Sequence, residues 1–189
     1  MEEILIDRYD LKVFSSSSRI KPVLDNFIAL KLFGVTQTYP LVMSLMYSFV
    51  NNSECDEKSL KKLQRTLNNI EKFLFINHEI IGNPGNMVEQ DFAKLAKNVF
   101  IEKTFLEDCD VINSYLTKNL EKQEQFNLSF ASVTYEPKYL STIYYIFDRF
   151  TNYKQKGEEV IDLYDVDSRV MRGGYNIEHL VPQSKKDGE

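Results

Sequence analysis

Leu60, Leu63, Leu67, Ile70 and Leu74 advance by three, four, three and four residues. An α-helix brings such positions to one side, because 3.6 residues complete a turn. The spacing predicts a helix from about Glu57 to Ile80, the longest in the chain. The sequence supplies few devices for a many-stranded alternative. It has 7 Gly and 5 Pro in 189 residues, so tight turns are scarce and helices are favoured.

Other segments carry the same period. Met1 to Phe14 fits a short helix through Ile4, Leu5, Leu11 and Phe14. Ser15 to Ser18 then break the pattern and offer a cap. Ile20, Val23, Leu24, Phe27, Ile28 and Leu30 predict a helix ending at Gly34, with Pro22 in its first turn. Pro40 opens a helix through Val42, Leu45, Met46, Phe49 and Val50, and Asn51-Asn52-Ser53 closes it. Gly82-Asn83-Pro84-Gly85-Asn86 is the clearest loop. Val88, Phe92, Leu95 and Val99 predict the next helix. Phe105, Cys109, Ile112, Leu116 and Leu120 predict another. The pattern fades over Asn127 to Tyr135. Pro137 then starts a helix with Leu140, Ile143, Phe147 and Phe150 on one face, ringed by Tyr139, Tyr144, Tyr145 and Tyr153. Such aromatics could stack bases, but their helical spacing reads first as core.

The expected organisation is a helical body over 1–153, a linker over 154–174 and a short extended tail over 175–189. A chain of this length, 43% apolar and 27% charged, can bury a core without disulfides or metals. The net charge of −5 argues against a simple DNA-coating role. It leaves room for a metal-dependent nuclease, whose acids recruit cations. Lys58, Lys61, Lys62 and Arg65 could form a DNA-contacting patch. With Glu54, Asp56 and Glu57 beside them, a solvated helix face is the plainer reading. Cys55 and Cys109 have no metal-type spacing and read as reduced thiols of a cytoplasmic protein. MEEILIDRYD lacks the build of a signal peptide. No apolar run nears the roughly 20 residues that span a bilayer, so no membrane partner is expected.

The tail carries the chemistry. In YNIEHLVPQS (Tyr175 to Ser184) a short strand is expected to end at Pro182, which has no N–H for a ladder. Glu178 could ligate a hard divalent cation. A neutral His179 could take a proton from an attacking water. Neighbours on an ideal strand point to opposite faces, so both reach one site only if the strand bends or ends there. A surface strand with an incidental histidine remains the alternative. His78 falls near the end of the long helix, where a partial positive charge is welcome, and is assigned no role.

YNIEHLVPQS resembles the opening of the HNH-like nuclease motif in the C-terminal part of GmrSD-type modification-dependent restriction endonucleases. YPLVMSLMYSFV, IEKFLFINHEIIG and YLSTIYYIFDRF are similar, in order and spacing, to the helical region leading to that motif. The resemblance implies a mainly α multi-helix bundle whose β tail would begin a ββα-metal nuclease fold. It implies His179 as general base, Glu178 as metal ligand, and Pro182 and Gln183 as the motif's structural end. A divalent metal such as Mg, a DNA partner and an N-terminal nucleotide-hydrolysing domain are implied for the complete protein.

The motif's second strand, its asparagine and its ligand-bearing helix would lie past Glu189, and the nucleotide-binding half would precede Met1. The expectation is therefore a fragment that holds no metal and does not cut by itself. The competing expectation is a helical interaction module without catalysis, which could relay or pair as a homodimer through the Leu60–Leu74 seam if part of that seam is exposed.

Overall fold

The computed structural model describes residues 17–52, 56–102, 104–154, 164–165 and 170–171. The chain is mainly α, with seven α-helices among these residues. They fall in two compact units, 1–134 and 135–189. No helix of the described residues is long and apolar enough to cross a membrane.

In the first unit α1 spans Ser17–Phe33. Gly34 ends it at φ +68°, a left-handed conformation glycine adopts without steric cost. Pro22 is the sixth residue of α1, inside the helix and not in its first turn as expected. There it removes a backbone bond that a first-turn proline would not have made. A 3-10 turn, Thr36–Thr38, leads into α2, Tyr39–Val50, with Pro40 in the first turn where its missing N–H costs little.

The expected long helix divides into α3, Glu57–Leu74, and a π-helical turn, Phe75–Ile80. Asp56 caps α3 by accepting the Ser59 N–H at 2.8 Å. All five residues of the seam are buried, Leu63, Leu67 and Ile70 completely. Burying each stabilises the fold by about 1.5–3 kcal/mol. None of the seam is exposed, so the condition on which it could serve a partner is not met. Gly82 turns the chain at φ +84° into the 3-10 turn Gly85–Val88. Then follow α4, Glu89–Glu102, α5, Phe105–Lys118, and α6, Gln123–Ala131.

α3 is the centre of this unit, packing on both α1 and α5, while α2 packs along α4. Polar side chains set the register of the first two contacts. From α1, Asn26 Nδ2 donates to Asn68 Oδ1 at 2.8 Å and to Glu71 Oε2 at 2.6 Å. On the α5 side, Asn69 Nδ2 donates to Asn113 Oδ1 at 2.8 Å and Asn113 Nδ2 donates to Thr66 Oγ1 at 3.0 Å. Apolar packing admits sliding along a helix, whereas these bonds hold at one register. Aromatic pairs lock the ends. Phe49 meets Phe105 at 5.4 Å, and Phe73, Phe92 and Tyr115 form a mutual cluster at 6.0–6.5 Å.

In the second unit a 3-10 turn, Pro137–Tyr139, opens α7, Leu140–Lys154. Pro137 thus starts this segment as expected. The aromatic face is not core. Leu140 and Ile143 are half-buried, and Phe147, Phe150 and Tyr153 are exposed. Among the described residues of α7, burial centres on Thr142. The helix is aromatic and aliphatic around much of its circumference, so spacing alone did not single out the inward side. Tyr164–Asp165 and Val170–Met171 pair antiparallel over two residues each. The expected β tail, 175–189, lies outside the described residues.

Candidate functional site

Glu178 and His179 lie outside the described residues, as do Pro182 and Gln183. Among the described residues no group of three or more His, Cys, Asp or Glu side chains could hold a metal ion. The candidate nuclease centre therefore rests on the sequence motif.

The Lys58–Arg65 face is described. Lys61 pairs with Glu57 at 2.8 Å, one helical turn away on α3, and Lys62 with Asp110 of α5. Half of the candidate basic patch is thus spent on carboxylates, as expected of a solvated face. Cys109 is buried and free, and burial pushes its thiol up to about 11. A thiol so placed is inert at neutral pH.

One cavity in the first unit has a built polar lining. It measures about 260 Å³ and lies where the π turn, the Gly82–Gly85 loop, the start of α4 and the end of α5 meet. The π turn carries two of its polar groups. Asn77 is buried and joins the segment after α5, donating to the Asn119 carbonyl at 2.9 Å and accepting the Glu121 N–H at 3.1 Å. His78 Nδ1 lies 2.8 Å from the Asn83 carbonyl oxygen. A carbonyl cannot donate, so Nδ1 carries the proton. Nε2 lies 3.8 Å from Glu79 Oε1.

Across the cavity the Tyr115 hydroxyl donates to Asp91 Oδ2 at 3.1 Å. Burial, with the Asp91 carboxylate adding to it, pushes the Tyr115 phenol up to about 12 and keeps it a donor. Asn83 Nδ2 donates to Glu121 Oε1 at 3.2 Å. The charged lining residues, Asp91 and Glu121, are both acidic. Such a cavity favours neutral or cationic groups with N–H or O–H donors and disfavours a phosphate. It is not a seat for a DNA backbone.

The sequence reading gave His78 no role, and its helix-end location was right. Its own partners are local, Glu79 beside it and Asn83 in the following loop, whereas those of Asn77 lie more than 40 residues on. Only the Gly82–Asn86 loop signalled that the chain folds back at this place. No protein-family model, curated protein or solved structure matches the chain.

Proposed function

We propose that this chain forms part of a metal-dependent DNA endonuclease of a restriction or anti-phage defence system, of the GmrSD type. The observation that carries the reading is the run Glu178-His179-Leu180-Val181-Pro182-Gln183 after Gly173-Gly174. The mainly α chain before it supports the reading in a coarse way, because the resemblance expects a helical region there. In this reading His179 takes the proton of the attacking water, and Pro182, with no N–H for a ladder, would end the strand that the motif implies. Glu178 offers a carboxylate oxygen to a divalent ion, which when bound polarises the phosphate and stabilises the leaving oxygen. Hard cations of this kind take about six oxygen ligands, so Glu178 is one of several.

The test is cleavage of modified and unmodified DNA by protein expressed from the whole reading frame that encodes this chain. Cutting that needs a divalent ion, stops with a chelator and weakens in Glu178→Ala supports the reading. Cutting that persists in chelator, or no cutting of either DNA with any divalent ion, contradicts it.

A further inference from the structure

We propose that Tyr39, Met43 and Tyr47 of α2, with Phe100 and Ile101 of α4, form the face through which the chain pairs with a second copy of itself. The inference is independent of the nuclease reading. Tyr39, Met43 and Tyr47 are spaced by four and so lie along one side of α2. All three are exposed, Met43 at 69%. α2 and α4 run in the same direction. At their starts, Gly85 approaches Val35 and Gln37, and toward their ends the Tyr47 and Phe100 rings meet at 5.1 Å. Phe100 and Ile101, 52% and 61% exposed, therefore extend the α2 row sideways.

The charge pattern indicates the occupant. From Leu32 to Ser53 the sequence has no Asp, Glu, Lys or Arg, in a chain where 27% of residues are charged. The inward positions of α2 are core and neutral for that reason. Tyr39, Pro40 and Met43 face outward, where core packing does not require neutrality. A two-fold contact does, because each group near the axis meets its own copy, and a charge there would meet a like charge. A chain of net charge −5 also repels its copy except across a neutral face. A different protein would more simply be recruited by complementary charge. Tyr, Met and Phe are the residues that interface cores concentrate, and exposed Lys97 and Glu102 supply a polar rim on α4.

The test is the mass of the full chain in solution across a wide range of concentration, by light scattering and sedimentation equilibrium. The expected result is a concentration-dependent rise from 22.1 kDa to twice that mass. Met43→Asp and, separately, Ile101→Asp should weaken the dimer by roughly tenfold or more with unchanged helical circular dichroism. A monomer at every concentration overturns the proposal. So does a dimer that both variants leave intact, and so does a monomer that floats with phosphatidylcholine vesicles, which would make a lipid surface the occupant.

Discussion

Asn77 holds Asn119 across the end of the bundle. Its Nδ2 donates to the Asn119 carbonyl at 2.9 Å, while its Oδ1 accepts the N–H of Glu121 two residues on. One buried side chain in the π turn thus satisfies a backbone acceptor and a backbone donor where α5 has run out. π-helical turns are uncommon and collect at places where a side chain must be redirected. Here the wider turn puts Asn77 inward and His78 against Asn83. Asn77→Ala should destabilise the protein by about 1–3 kcal/mol, because both backbone groups lose a partner. Asn83→Ala removes a bond between exposed groups and should cost less than about 0.5 kcal/mol. Urea unfolding of the two variants checks this, and equal losses would contradict it.

Asp56 offers a test by pH. The Ser59 backbone N–H holds its carboxyl below the ordinary carboxylate value. A folded pKa below the unfolded one means that the stabilisation is present above the unfolded value. It is lost as pH falls through the folded value. Asp56→Ala should therefore melt earlier than the parent near neutral pH, and the gap should close in acid. A gap that stays constant down to low pH would show that the charge of the cap contributes nothing. Asp56→Ser, which keeps a capping oxygen, should retain part of the parent's advantage.

Cys109 should be silent in the folded protein. Its side chain is fully buried, and burial raises its thiol to about 11, so little thiolate exists at mildly alkaline pH. With Cys55 replaced by serine, a thiol reagent should modify the folded protein slowly and the urea-unfolded protein at once. Fast modification without denaturant would mean that α5 opens readily around Ile112 and Leu116.

Much of the helical unit was legible because its inward positions repeat. The α3 seam was read residue by residue, and Gly34, Pro40 and Asn51 marked ends that the chain does use. Four features were not legible. α6 buries no side chain, so it left no apolar period to find. The aromatics of α7 surround too much of the helix for spacing to choose the inward face. The π turn depends on Asn77 reaching residues more than 40 positions away, and sequence period carries no such pairing. The cavity was missed for the same reason, since Asn77, Asp91, Tyr115 and Glu121 come from four separate places in the chain. The Tyr39–Tyr47 row was partly visible as a stretch without charge, though which of its residues face outward only the packing of α2 on α4 decides.

The nuclease account turns on one imidazole. Its most direct test is DNA cleavage by His179→Ala, measured beside DNA binding and metal binding in protein expressed from the whole reading frame. The account predicts that cutting falls by two to four orders of magnitude or more, roughly the worth of a positioned general base, while both binding affinities stay near the parent's. Cleavage at the parent's rate in that variant would contradict it.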